Sequence, residues 1–436
     1  MKKTPSNARL TSAFSPPKPS CVEDTGLALG FLTDLAAKIM YLSGELLGYE
    51  LADRMRLPHA GVVEDLLVSL KQEQLCEVKG TGGSASPGGL GRAVYRYSLT
   101  DKGRSVAREA MDRCQYAGPA PIPLQQYNLG MDRQATGKVK AQQRDLERVL
   151  SHLVIDERTM AHLGAAVNSQ RSIFLFGPTG NGKTVISESV GRLILKGDMY
   201  IPYAVETGNQ VIKVFDAVNH VEVESSASRG NSWDRRWVRA RRPVIIAGGE
   251  LVLSELDLIY EPNSRFYEAP LQMKANGGML LIDDFGRQQA RPRDLLNRWI
   301  VPLEKRVDFL TLHTGRKIEV PFDVLVVFAT NLAPTELVDE AFLRRIRHKI
   351  KIEDPTWDEY REIFRRACRE EGVPYREEGL AYLIKEYYVK ADRPRRRCHP
   401  RDLIAQLKDI ASYLDVAPEL NRDLISQACH TYFVDL

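Results

Sequence analysis

Hydrophobic positions along this chain follow two periodicities, and they divide it into regions. Between residues 27 and 74 apolar residues recur every three to four positions, the spacing of amphipathic helices. Leu32, Leu35, Ala36, Ile39 and Met40 share one face of a helix over 27–47, and Val62, Leu66, Leu67 and Leu70 one face of a helix over 61–74. A shorter helix fits 49–56, stopped by Leu57-Pro58. A strand over 76–78, a glycine-rich loop over 80–91 and a strand over 93–99 come next. Further on, the apolar runs 173–176 and 279–282, and the run 323–329 that is apolar after Asp323, read as buried strands. A hairpin fits 200–206 and 210–215 around Thr207-Gly208-Asn209. Residues 295–322 read as a helix and two short strands around His313-Thr314-Gly315-Arg316, and helical periodicity runs almost throughout from about 353 to the end.

Composition sets the boundaries between these regions. Residues 1–26 are rich in Pro, Ser and Lys, which predicts a disordered tail. Residues 116–130 open with the proline-rich YAGPAPIPLQQY and read as a semi-rigid linker. The expected organisation is therefore a tail (1–26), a helical and hairpin domain (27–115), the linker (116–130), an α/β core (131–352) and a helical lid (353–436). The chain is 43% hydrophobic and 27% charged, as expected of a soluble globular protein. A net charge of +4 is too small to call for nucleic acid by itself. Six scattered cysteines without a CxxC pair read as reduced thiols. The basic N-terminus continues into no apolar signal segment and no run approaches a membrane span, so a cytoplasmic protein without membrane insertion is expected.

The chemistry is concentrated after the strand 173–176. Gly177-Pro178-Thr179-Gly180-Asn181-Gly182-Lys183-Thr184 fits the phosphate-loop pattern G-x-x-x-x-G-K-[ST], with a strand before it and an amphipathic helix over 185–195 after it. Glycines let backbone N–H groups converge on phosphate oxygens, and the helix N-terminus adds partial positive charge. Lys183 is placed to reach the β- and γ-phosphates, and the Thr184 hydroxyl to ligate Mg2+. The strand 279–282 ends in Asp283 and Asp284, with Asp283 in the metal-side position and Asp284 in that of the carboxylate orienting the attacking water. The third strand ends in Thr330-Asn331, a polar residue able to bond the γ-phosphate or its water.

Together these motifs resemble an AAA+ ATPase over about residues 140–436, which implies an α/β P-loop core of αβα layers with a C-terminal helical lid. The resemblance implies Asn331 as first sensor and Arg345 as arginine finger, with Arg344 or Arg347 as fallback, in the segment 340–348. Cys398-His399-Pro400-Arg401 matches its second-sensor pattern, implying that Arg401 touches ATP. A finger implies an oligomeric ring, usually a hexamer. Most members carry Glu where this chain has Asp284, which puts the hydrolysis rate in question. The run Ala275–Asp284 and the extra hairpin before Asn331 are similar to MoxR-type, chaperone-like members and to enhancer-binding activators, but the activators' GAFTGA loop is absent.

Residues 27–103 resemble a winged helix–turn–helix. Its second long helix carries Glu64, Asp65 and Glu73 against Lys71, a poor complement to phosphates, so a protein adaptor is favoured over duplex DNA. Arg92, Arg96, Arg104 and Arg108 keep wing contacts with DNA open. Residues 229–242 hold six arginines with Trp233 and Trp237 and read as a subunit contact in a ring, with stacking on nucleic-acid bases as the alternative. The basic run 393–397 reads as a solvated face. The expected function is Mg-ATP hydrolysis coupled to remodelling of a protein client, the alternative an ATP-dependent switch on DNA.

Overall fold

The computed structural model describes residues 14–81, 95–135, 141–194, 197–223, 233–337 and 343–433. Its centre is a parallel sheet of β5 (Ile173–Phe176), β10 (Val244–Ala247), β13 (Met279–Ile282), β16 (Leu325–Thr330) and β17 (His348–Lys351), in the order β10-β13-β16-β5-β17. Helices cover parallel strands on both faces, and β13 and β16 are accordingly apolar and buried at every position except the buried Thr330 that ends β16. One face packs on Leu295, Leu296 and Trp299, the other on Leu163, Ile186 and Val190.

The N-terminal module runs α1 (Leu29–Ser43), β1 (Leu46–Leu47), α2 (Gly48–Met55), α3 (Glu64–Gln72), β2 (Cys76–Thr81), β3 (Tyr95–Leu99), α4 (Asp101–Arg113), with sheet order β1-β3-β2. The helix expected over 61–74 begins only at Glu64, because Gly61 adopts φ 77°, and a Cβ there would lie 2.2 Å from the Ser20 carbonyl. Part of the glycine-rich loop, with Arg92, lies outside the described residues.

Two segments depart from the sequence reading. Of the tail expected over 1–26, residues 14–26 are ordered: Phe14 packs edge-on against Tyr200 and Trp237, Pro17 bridges to Trp233, and Glu23–Thr25 form a 3-10 turn. The expected linker over 116–130 is also part of the fold. Tyr116 is buried, Ile122–Pro123 form β4, and Leu124–Arg133 form a helix that buries Tyr127 and Met131. Proline is tolerated in β4 because this strand is the edge of its sheet.

That sheet is assembled from three distant stretches of chain: β4, the hairpin β7 (Ala204–Thr207) and β8 (Gln210–Lys213), and the hairpin β11 (Ile259–Glu261) and β12 (Phe266–Glu268). Gly208 and Asn209 at φ 57° and 62° make the β7–β8 turn, as the sequence predicts. The antiparallel pairs β6 (Asp198–Pro202) with β9 (Trp237–Arg241) and β14 (Val307–Thr311) with β15 (Lys317–Pro321) flank it. Ala204 and Val211 also close the core of the N-terminal module, and Gln115 N–H donates to Ser264 O at 2.8 Å.

Among the described residues of the arginine–tryptophan segment, Arg236 and Trp237 are buried, whereas Arg235 and Arg239 are partly exposed and Arg241 is exposed. Trp237 is buried in β9, and Arg236 is 1% exposed in an ion pair with Asp234 (2.8 Å). Arg235 pairs with Asp53, Arg239 with Asp198, and Arg242 donates to Gly277 O and Gln134 O. Arg229 lies outside the described residues.

Candidate active site

The phosphate loop joins β5 to the helix Lys183–Ile194. Gly177, Gly180 and Gly182 take φ of 137°, 81° and 80°, conformations that glycine adopts without Cβ strain. At Gly177 a Cβ would stand 2.2 Å from Ile352 O, because the chain leaving β17 passes directly over the loop. Lys183 is 8% exposed, and its Nζ donates to Gly177 O and Pro178 O, both at 3.0 Å. Burial lowers the Lys183 pKa, opposed by the nearby Asp284 and Asp283 carboxylates.

The pairing of β13 with β16, and of β16 with β5, carries Asp283 to the loop. Thr184 Oγ1 donates to Asp283 Oδ2 at 2.9 Å. The next residue, Asp284, is exposed at φ 47°, with its N–H donating to Asp283 Oδ1 at 3.0 Å. Such a conformation is costly outside glycine, and it aims this carboxylate into the same cavity as Thr184 and Asp283. Asn331, at the end of β16, donates from Nδ2 to Thr179 Oγ1 at 3.2 Å, while its buried Oδ1 has no protein partner.

The cavity, of about 560 Å³, is bounded by the phosphate loop, by residues 152–155, and by Ile363, Ala367 and Arg401 of the lid. A volume in this range suits a nucleotide-sized ligand. Arg401 is 72% exposed and pairs with Asp402 at 3.3 Å. The structure thus brings Lys183, Thr184, Asp283, Asp284 and Arg401 to one cavity, with Asn331 beside it on Thr179. Arg345 is apart from them: it does not line the cavity, and its Nε donates to Glu304 Oε1 at 2.5 Å. Residues 340–342 of its expected segment lie outside the described residues.

The basic run 393–397 is a set of partnered residues rather than a solvated face. Arg393 lies over the Phe433 ring at 3.9 Å and Arg395 over Trp357 at 4.3 Å. Arg396 pairs with Asp354, and Arg397 with Glu359 at 3.4 Å. Arg397 also donates to Val154 O and lines the cavity. Asp354 is not singled out by the sequence, and Arg396 and Arg397 stand out there only as part of a basic run. The available signal was the acid-proline step Asp354-Pro355 immediately before the lid's first helix, Trp357–Glu371.

The helix His399–Tyr413 starts beside these arginines, and its first residue is a partly buried histidine. His399 Nδ1 bonds the Tyr388 hydroxyl at 2.8 Å, which bonds the Tyr360 hydroxyl at 2.7 Å. Burial first, then Arg396 and Arg393, push the His399 pKa down to about 4, against Asp402 and Asp354. The folded state therefore holds a neutral imidazole where the unfolded chain binds a proton below about pH 6.5. This contribution to stability is complete above that pH and is lost as pH falls toward 4. Denaturant unfolding is expected to show a loss of about 1–2 kcal/mol between pH 7 and 5, discounted for partial exposure, and His399→Gln to flatten that slope.

The residues present fit a magnesium nucleotide. A hydroxyl and a carboxylate in contact are hard oxygen donors, and Mg2+ is usually held by one or two carboxylates together with substrate phosphates. No cluster of three or more His, Cys, Asp or Glu able to hold a metal occurs among the described residues.

A parallel sheet that sets the phosphate-loop strand β5 between β16 and β17, with the Asp-Asp strand β13 beyond β16, defines an α/β fold with a phosphate loop. Residues 356–431, in the C-terminal helical region, match a family described as a domain of unknown function (DUF8689). No curated protein matches the chain. Among solved structures it is similar to NtrX from Brucella abortus in complex with ADP, at 14% identity and a TM-score of 0.39, over 64% of this chain and 56% of that one. It is also similar to the RuvB Holliday junction branch migration motor of Thermotoga maritima, at 13% identity and a TM-score of 0.36, over 69% and 74% of the two chains. The match thus spans little more than half of the NtrX chain. The fold assignment rests on the sheet order and the phosphate loop. No helix among the described residues is long and apolar enough to cross a membrane.

Proposed function

We propose that this chain is a Mg-ATP-dependent ATPase of the AAA+ type, working as an oligomeric ring, that couples ATP hydrolysis to remodelling or assembly of a protein partner. The observation that carries the reading is the contact of Thr184 with Asp283, residues 99 apart in sequence, at the mouth of a nucleotide-sized cavity. In this reading the backbone of 177–182 and Lys183 cradle the phosphates, and Thr184 and Asp283 hold Mg2+. The metal supplies neutralisation of charge between the β- and γ-phosphates. Asp284 accepts a hydrogen bond from the attacking water and orients it, Asn331 fixes the γ-phosphate side, and Arg401 closes over the nucleotide from the lid. Arg345 acts on the neighbouring subunit.

The protein-partner reading is supported by the surface of the N-terminal module, which we read as a winged helix. Tyr41, Leu42, Val68, Val78 and Tyr95 are exposed there, while α3 opens on Glu64 and Asp65. The second reading, an ATP switch on duplex DNA, draws on exposed Lys79, Arg96, Arg104 and Arg108 of the hairpin and α4.

Turnover measured against protein concentration, with and without duplex DNA, tests both. Turnover per subunit that rises with concentration and ignores DNA is the expected result; salt-dependent duplex binding would move the assignment to the switch. Asp284→Asn is expected to lower turnover by about 10²–10⁴-fold with nucleotide affinity within a few-fold of wild type, checked by single-turnover hydrolysis beside equilibrium binding. Absence of Mg-ATP binding by the wild-type protein rejects the reading outright.

A further inference from the structure

We propose that Asp354 is a positioning residue which, through Asn181, locks the geometry of the phosphate loop to the position of the lid within one subunit. The inference rests on the ATP-binding reading above and assigns a role to Asp354, which lies outside the phosphate-loop and sensor motifs.

Asn181 is 1% exposed and spends both ends of its amide on the lid side of the molecule. Its Nδ2 donates to Asp354 Oδ1 at 2.7 Å, and its Oδ1 accepts the Arg397 N–H at 3.1 Å. The preceding residue is held as well, Gly180 O accepting the Cys398 N–H at 2.9 Å. A Cβ at Gly180 would lie 2.6 Å from Cys398 Sγ, so the lid segment is seated against the loop without slack. Asp354 is fixed in turn by its ion pair with Arg396.

The placement of these contacts gives them their consequence. Asp354 stands in the five-residue connection between β17 and the helix Trp357–Glu371, where the lid leaves the core. Residues 396–398 lead into the helix His399–Tyr413, which carries Arg401 to the cavity. Both grips fall on residues 180 and 181, immediately before Gly182 and Lys183. Rotation of the lid therefore drags the loop that precedes the phosphate-binding lysine, and rearrangement of that loop around phosphates moves the lid. Asparagine suits the junction chemically, because it donates to a carboxylate and accepts from a backbone amide at once. Aspartate at 181 would repel Asp354, and serine would not span both partners.

The test uses the full-length protein and Mg-ATP. Asn181→Ala and Asp354→Ala are each expected to raise the Mg-ATP Kd about 10–100-fold, the scale of a buried hydrogen bond to a charged group. The double variant is expected to be no worse than the poorer single, since one interaction is removed twice. Asp354→Asn retains an acceptor for Asn181 and is expected to cost less than tenfold, which keeps the test open if an alanine variant fails to fold. Hydrogen–deuterium exchange over 398–402 gives the readout that a merely structural role would not move. Saturating Mg-ATP should protect this stretch in wild type and leave it unprotected in Asn181→Ala, or in Asp354→Asn combined with Arg396→Gln. Additive losses in the cycle, or ATP-dependent protection that survives in the variants, overturn the proposal. Wild-type protein that binds no Mg-ATP overturns both this proposal and the ATPase reading.

Discussion

Arg345→Ala is expected to reduce ATP turnover by about 10³–10⁵-fold while Mg-ATP affinity stays within a few-fold of wild type. A guanidinium brought to the γ-phosphate stabilises charge that develops only in the transition state, so its loss appears in kcat and not in binding. The geometry of one subunit fits that role. Arg345 is absent from the lining of its own cavity and pairs with Glu304, a half-exposed carboxylate, at 2.5 Å; in the proposed ring a neighbouring phosphate would compete with that carboxylate for it. Complementation between inactive variants provides the check. Arg345→Ala subunits keep an intact site, and Asp284→Asn subunits keep an intact finger, so mixing the two should recover turnover that neither has alone. A mixture that stays inactive, or an Arg345→Ala protein at full rate, removes the finger from this residue and returns the question to Arg344 and Arg347.

The second large effect concerns stability. Arg236→Met is expected to destabilise the protein by about 3–5 kcal/mol, because Asp234 stays buried with its charge uncompensated. The guanidinium also gathers the chain around it. Its Nε and Nη2 donate to Asp234, and its Nη1 to Thr25 O at 2.9 Å and Pro121 O at 3.1 Å. Removing it should therefore loosen residues 14–26 and 116–123 along with the 233–242 strand. Urea unfolding gives the magnitude, and limited proteolysis shows whether cleavage moves into those two segments first. Replacing both partners by apolar residues is expected to restore much of the loss, since the uncompensated charge is then gone.

Both residues show where sequence reading succeeded and where it ran short. The phosphate loop, Asp283, Asp284 and Asn331 were legible because each sits at the end of a short apolar strand, a local pattern, and the sheet joins those ends. The hairpin before Asn331 and the β7–β8 turn were legible for the same reason. Asp354 and Arg396 were not, because their meaning lies in partners: Asn181 is 173 residues from Asp354. Residues 116–130 were misread because a proline-rich stretch looks the same in a free linker and in an edge strand; only Val205, opposite Ile122, decides between them. In the 229–242 stretch, composition suggested a surface, yet Arg236 and Arg242 are taken inward by Asp234 and by backbone carbonyls. Clustered arginine and tryptophan carry no information about which way they face.

The sheet that unites β4, β7–β8 and β11–β12 has a consequence for how the molecule is made. Its strands leave the ribosome at residues 122, 204 and 259, so its contacts are strongly non-local and its closure waits for most of the chain. Ala204 and Val211 complete the core of the N-terminal module, so residues 27–115 emerge first but cannot finish packing alone. Until residue 268 has been synthesised, the side of that module destined for this sheet stays bare to solvent, a natural point of engagement for holding chaperones. The N-terminal module and this sheet therefore complete their packing together.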